Sequence, residues 1–353
     1  MQELIKAVMT DQDNSWVGKV LKPCLWGLSL VYGLAIILRK FFYRFGIMPG
    51  HKASFPVISI GNITAGGVGK TPLVIFLAEY LLRKGKRPVI LTRGYMGKGQ
   101  CSSQASDEAR MMSEKLSGVP VMVDPDRFRA TKEAERKSLA DVYLMDDGFQ
   151  HWHLKRDLDL VAIDATNSFG NGSLLPCGIL REPLSALARA DLFILTKSDA
   201  GCCHVAQIRQ ILGRINPDAH VVETVHAPVA LVDMLSGQRD TGMCWLKDRV
   251  VAVCAIGSPG SFADTLKNQG AVVEKLFVYE DHHVYNDEDL AEIVCFCQNK
   301  GINKVVTTHK DAVKIRGILN NISGIRFFVL EIDIKVIHGE VELFSRIDRL
   351  FHS

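Results

Sequence analysis

The sequence predicts an α/β protein of two lobes, each a parallel sheet flanked by helices, with an N-terminal membrane-associated helix. Three observations predict it. Short apolar runs alternate with helical patterns from residue 55 onward, the signature of parallel strands joined by helices. A glycine-rich loop ending Gly69-Lys70-Thr71 lies between one such run and an amphipathic helix, as in P-loop nucleotide-binding proteins. The alternation stops near residues 215–235, in an extended stretch containing Pro228, and then restarts. A chain of 353 residues exceeds what one compact core usually spans. The expected division is a hydrophobic helix at 1–48, a P-loop domain at 49–218 and a smaller α/β lobe with its connector at 219–353.

Residues 23–38, PCLWGLSLVYGLAIIL, carry no charge over 16 positions, fewer than the roughly 20 that span a bilayer. RKFFYRF follows, with Arg39, Lys40 and Arg44 set among aromatic rings, as a headgroup region favours. The expectation is a segment lying in one leaflet. Acidic residues before the run and the lack of a small-residue cleavage site after it argue against a signal peptide.

Next come the strand FPVISIG, the loop, the helix TPLVIFLAEYLLRKGK and the strand RPVILTRGY. GKGQCSSQAS reads as a loop, DEARMMSEKLSG as a helix and VPVMVD as a strand. ADVYLMDDG, LDLVAIDA and ADLFILTKSD are three further buried strands. HVVETVHAPVALVDM is read as the connector. VVAVCAIG, AVVEKLFVY, NKVVTTHKD and IRFFVLEID build the second lobe.

A net charge of +3 makes no demand for nucleic acid. Nine scattered cysteines suit free thiols in a reducing compartment. Cys202-Cys203-His204 and Cys295-x-Cys297 lack the second ligand pair of a metal site and read as buried or incidental thiols.

The chemistry concentrates in GNITAGGVGKTP, residues 61–72. Thr64, Ala65, Gly66, Gly67, Val68 and Gly69 offer backbone N–H groups to phosphate, Lys70 reaches the β/γ oxygens, and Thr71 offers a hydroxyl to Mg²⁺. The loop starts irregularly, with Thr64 where a glycine is usual. Ala65 occupies the place of the signature lysine of partitioning-type ATPases, which argues against a nucleotide-driven switch. VYLMDDGFQH resembles a Walker B strand, with Asp146 and Asp147 as metal-binding carboxylates. Arg127 in DPDRFR brings positive charge to a transferring phosphoryl group. In TKSD, residues 196–199, the form is that of a guanine-selecting Asn-Lys-x-Asp element, but the expectation is a strand end followed by a helix N-cap.

GNITAGGVGKTP, TRGY, SDE, DDGFQHWHLKRDLDLVAID, FGNGSLLPCGILREP, DHHVY and THKDAVK resemble, in order, the motif series of the tetraacyldisaccharide 4'-kinases of lipid A biosynthesis. That family's loop has the same early Gly-Asn and the same irregular start. The resemblance implies transfer of the ATP γ-phosphate, with Mg²⁺, to the 4'-hydroxyl of an acylated glucosamine disaccharide 1-phosphate, giving lipid IV-A at the cytoplasmic face of the inner membrane. It implies no obligate protein partner. It further implies that Asp107 and His282 act with Lys70 and Arg127 in catalysis, and that Asn62, Tyr95, Arg181 and Glu182 contact the lipid. The residues before Asp107 read Ala-Ser, where the family commonly has a small residue and glycine.

Overall fold

The computed structural model describes residues 9, 16–94, 107–242, 248–257, 259–280, 283–319 and 324–352. The chain forms two compact units, one of residues 1–93, 118–225 and 335–353, the other of residues 94–117 and 226–334.

The first unit opens with α1 (Trp16–Arg44). At 29 residues it is longer than the uncharged run, because the helix continues through the basic–aromatic cluster. Residues 21–44 are long and apolar enough to cross a membrane by length and composition alone. One flank of α1 is docked on its own unit. Leu25 is buried against Cys177, the Ser29 hydroxyl donates to the Leu174 carbonyl (2.9 Å), and the Tyr32 hydroxyl donates to the Arg181 carbonyl (3.1 Å). The other flank leaves Trp26, Leu30, Val31, Leu34 and Ile37 exposed.

Then follow β1 (Val57–Gly61), α2 (Lys70–Arg83), β2 (Pro88–Thr92), α3 (Asp107–Lys115), β3 (Val121–Val123), α4 (Arg127–Arg136), β4 (Val142–Asp146), β5 (Leu158–Asp164), β6 (Leu192–Thr196), α5 (Cys202–Ile215) and β7 (His220–Asp233). The strand order in this unit is β3-β2-β4-β1-β5-β6-β7, all parallel. β1, β2, β4, β5 and β6 are buried along their whole length. That is why they read as continuous apolar runs, since helices cover both faces of a parallel sheet. Val57, Val89, Tyr143 and Met145 enter the core on one face. Val161, Ile163, Phe193 and Leu195 form a second cluster on the same face, further along the sheet.

The second unit contains β8 (Arg239–Asp240), β9 (Arg249–Cys254), α6 (Pro259–Asn268), β10 (Val272–Val278), α7 (Asp287–Lys300), β11 (Lys304–Thr308), α8 (His309–Ile315) and the first part of β12 (Arg326–His338). Its strands run β10-β9-β11-β12, also parallel. Val251, Val253, Val305, Phe327 and Val329 line one core, and Val250, Ala252, Val306, Phe328 and Leu330 line the other. This is the two-residue alternation of strands buried on both faces.

The two compact units differ from the expected division in three places. The stretch read as a connector is β7, a 14-residue strand whose residues 220–225 belong to the first unit and the rest to the second. Residues 94–117 belong to the second unit, where Lys115 pairs with Asp333 (2.5 Å) and Glu114 with Arg316 (3.7 Å). Residues 335–353 return to the first, through α9 (Glu340–Asp348). There Phe344 stacks on Tyr80, with ring centroids 4.0 Å apart, and Asp348 pairs with Lys84 (2.9 Å). Side chains far apart in sequence decide these assignments. The seven described cysteines are free thiols, with Cys295 exposed and Cys297 buried.

Candidate active site

β1 feeds the glycine loop and α2 begins at its end, so the loop lies at the carboxyl edge of the first unit's sheet. Gly66 (φ 118°) and Gly69 (φ 82°) take left-handed conformations that a side chain would strain. Gly69 is the N-cap of α2 and makes no side-chain cap, which leaves the first N–H groups of the helix for an anion.

The irregular start of the loop has a packing explanation. A Cβ on Gly61 would lie 2.5 Å from the Phe149 Cβ and backbone nitrogen, so only glycine lets the DDGFQH segment pass. Asn62 is fully buried and braces the loop from inside. Its side-chain amide donates to the Thr64 carbonyl (2.7 Å) and to the Thr64 hydroxyl (3.2 Å), and its Oδ1 accepts from Lys70 Nζ (2.9 Å). The Thr64 hydroxyl is thus a second acceptor for Asn62, one that glycine would lack. The loop is strapped from outside by Ala65 N–H to the Ile179 carbonyl (2.6 Å) and Arg181 N–H to the Ile63 carbonyl (2.7 Å).

Lys70 also lies 3.1 Å from Asp147 Oδ1, and Arg181 Nη1 grips both Asp147 oxygens (3.0 and 2.9 Å). Burial alone would raise the Asp147 carboxyl, but the charges and hydrogen bonds of Lys70 and Arg181 outweigh it and hold the pKa below the ordinary value. Asp147 has φ 50°, an uncommon conformation outside glycine that clusters at functional sites. Its neighbour Asp146 is buried at the end of β4, and Thr92 Oγ1 donates to it (3.3 Å). Asp146 pairs in register with Ile60 of β1, one strand spacing from the loop's entry.

Arg127 is 3% exposed at the first turn of α4. Burial lowers its pKa, and the nearby charges of Asp146 and Asp147 oppose that shift. Among the described residues, Arg127 Nε makes no hydrogen bond. Glu182 is also buried, but its carboxylate is gripped by Arg189 through both oxygens (2.7 and 2.8 Å). Arg189 in turn donates to the Phe149 carbonyl (2.8 Å), and its guanidinium lies 3.6 Å from the Phe149 ring centroid. Arg181 and Glu182 therefore clamp Asp147 and the DDGFQH segment in this structure, where the sequence suggested lipid contacts.

α3 begins at Asp107. Tyr95 and His282 lie outside the described residues. Lys70, Asn62, Asp146, Asp147, Arg127 and Arg181 are thus brought together, with Thr71 in the first turn of α2. Three contributors escaped the sequence reading. Gln150 donates to the Asn62 carbonyl (2.8 Å), Arg189 holds Glu182, and His151 is half-buried within reach of the Arg127 charge. Burial first, and then the neighbouring charges, push the His151 imidazole down to about 4. The string GFQH was the only signal for the first and last of these.

A family model described as tetraacyldisaccharide-1-P 4'-kinase matches residues 21–352. Among curated relatives, the tetraacyldisaccharide 4'-kinase of Halothermothrix orenii is 36% identical over 356 residues, covering 91% of each chain. That of Elusimicrobium minutum is 38% identical over 329 residues, covering 88% of this chain and 87% of its own. Among solved structures, LpxK from Aquifex aeolicus in complex with ATP superposes with a TM-score of 0.72 at 29% identity, covering 94% of this chain and 99% of that one.

Proposed function

The chain belongs to the tetraacyldisaccharide-1-phosphate 4'-kinase family, and from that premise we propose how its own residues divide the work of phosphoryl transfer. It is an ATP-using kinase of lipid A biosynthesis that phosphorylates the 4'-hydroxyl of the acylated disaccharide 1-phosphate. The observation that carries the residue assignment is the Asn62–Lys70–Asp147–Arg181 network at the N-terminus of α2. Phosphoryl transfer needs positioning and charge stabilisation more than covalent help. The N–H groups of residues 66–71 cradle the phosphates, the Ala65 N–H being taken by the Ile179 carbonyl, and Lys70 is the point charge for the β/γ oxygens. Asn62 and Asp147 hold its ammonium in place, and Arg181 holds Asp147. Arg127 supplies a second, desolvated positive charge.

Thr71 and Asp146 fit Mg²⁺. Both offer hard oxygens, and Mg²⁺ usually takes one or two protein ligands beside water and substrate phosphates. Bound there, Mg²⁺ supplies neutralisation of charge on the phosphate oxygens. Asp147, committed to two cations, takes the positioning role instead. The proton of the 4'-hydroxyl is assigned to Asp107 and His282. Each single alanine change should cost roughly 10² to 10⁴ in rate, and the double change little more than the worse single one. Fully multiplicative losses would show that the two act independently.

The exposed apolar flank of α1 suits a membrane surface, and its docked flank ties the helix to the nucleotide unit, as an interfacial helix requires. We place the enzyme at the cytoplasmic face of the inner membrane, where ATP is supplied. The direct test is mass spectrometry of an acylated disaccharide 1-phosphate incubated with the protein and Mg-ATP. One phosphate should appear at the 4'-position in proportion to ATP consumed. ATP consumption with unmodified lipid would overturn the reading.

A further inference from the structure

The turn after β6, Thr196-Lys197-Ser198-Asp199, is built more firmly than a strand end requires. The Thr196 hydroxyl donates to the Val68 carbonyl (2.8 Å), inside the phosphate loop itself. Lys197 is 7% exposed, has φ 54°, and its ammonium is paired with Asp164 (2.5 Å). Ser198 N–H donates to the Thr224 carbonyl (3.0 Å), and the Thr224 hydroxyl donates back to the Leu195 carbonyl (2.9 Å). Gly201 N–H closes the turn on the Lys197 carbonyl (3.0 Å), and a Cβ on Gly201 would sit 2.4 Å from the Ala165 backbone. The expected N-cap role fails. α5 starts at Cys202 with Gly201 as its N-cap, and no side chain caps it. Asp199 is exposed, and among the described residues its carboxylate makes no hydrogen bond or ion pair.

The position of this turn matters. β1, β5 and β6 are parallel neighbours, so their carboxyl ends share one edge. The turn therefore lies two strand spacings, roughly 10 Å, from the end of β1. Ligands of open α/β sheets occupy the crevice along that edge. With the phosphates fixed at residues 66–71, a nucleoside extending along it would bring its base to the turn.

We infer that residues 196–199 read the nucleotide base, and that Asp199 is a specificity-determining residue that admits a guanine nucleoside triphosphate as phosphoryl donor beside ATP. The inference rests on the proposed placement of the nucleotide phosphates at the glycine loop. A 2-amino-6-oxopurine presents N1–H and an exocyclic N–H side by side, which one carboxylate accepts together. Adenine presents a lone pair at N1, which a carboxylate repels. With GTP, the bond from the γ-phosphorus to the β–γ bridging oxygen breaks and a bond to the 4'-oxygen forms. GDP leaves, and the hydroxyl proton passes to the same base as with ATP.

The experiment compares GTP, ATP and XTP as donors to the acylated disaccharide for the full chain and for Asp199→Asn, alongside calorimetric binding of GDP and ADP. GTP should match or exceed ATP in kcat/KM. Asp199→Asn should lower the GTP/ATP ratio about 10- to 100-fold, the range of a hydrogen bond to a charged group. It should also raise use of XTP, because an amide can accept from N1–H and donate to the 2-oxo group. If ATP phosphorylates the lipid and GTP does not, or if Asp199→Asn leaves the ratio unchanged, the inference falls and the kinase reading stands. If no triphosphate phosphorylates the lipid, the kinase reading falls and binding decides. GDP bound as tightly as ADP supports the base-reading turn, and failure to bind GDP overturns it.

Discussion

Lys70 Nζ lies 3.1 Å from Asp147 Oδ1, and Arg181 closes on the same carboxylate from the other side at 2.9 Å. One carboxylate with an uncommon backbone conformation thus orients two cations beside the glycine loop. Whatever moves Asp147 moves both charges.

Replacing Lys70 with Ala should lower the rate of lipid phosphorylation on the order of 10²-fold or more, because a preorganised charge on the transferring group is lost. Steady-state kinetics with the lipid acceptor measure this. Near-normal turnover would remove the phosphate-loop assignment.

Asp147→Asn should reduce kcat while retaining the fold, since Asn tolerates left-handed backbone as Asp does. Its pH signature follows from the depressed carboxyl. Stability from a group whose folded pKa is lowered is fully present above the ordinary value, about 4, and is lost as pH falls through the folded pKa. Thermal melts should therefore show wild type ahead of the variant at neutral pH, with the gap closing on acidification below about pH 4. A gap that widens toward low pH would refute the pairing.

Glu182→Ala should behave as a folding lesion. It leaves the guanidinium of Arg189, 19% exposed, without its carboxylate. Breaking a buried pair on one side costs about 3–5 kcal/mol, less where solvent reaches the group. Urea titration should show the loss, with lipid KM little changed in the folded fraction. A raised KM at undiminished stability would return Glu182 to a lipid-contacting role.

Leu34→Glu with Ile37→Glu, on the exposed flank of α1, should weaken sedimentation with anionic phospholipid vesicles by roughly tenfold or more per residue. Each apolar side chain is worth about 1.5–3 kcal/mol on full burial. Nucleotide binding should persist, because the docked flank with Ser29 and Tyr32 is untouched. Unchanged vesicle binding would place the membrane contact elsewhere.

Charging of His151 should destabilise the fold. The imidazole titrates near 4 in the folded chain, against about 6.5 unfolded, so the unfolded chain binds protons first as pH falls through that window. His151→Gln should flatten the decline in melting temperature between about pH 6.5 and 4. An identical decline in the variant would exclude His151 as its source.

The sequence by itself determined what local backbone geometry controls. The glycine loop and its following helix were legible because positive φ at Gly66 and Gly69 and a helix opening at Lys70 are set by neighbouring residues. β4 through β6 were legible because strands buried on both faces are mostly apolar. The order of motifs was enough to reveal the family. Tertiary structure alone decided which partner each side chain takes. Placing β1 between β4 and β5 brings Lys70 to Asp147, and the strap at residues 179–181 brings Arg181 to the same carboxylate. That Arg189 grips Glu182, and that α5 starts at Cys202 with no side-chain cap, are likewise seen only in the folded chain. α9 joins the first unit in part through rings and charges more than 250 residues away, such as Phe344 on Tyr80 and Asp348 on Lys84. Such contacts depend on strand order and crossover packing, which single-chain periodicity does not encode, because every parallel strand buried on both faces presents the same apolar pattern whichever neighbour it pairs with.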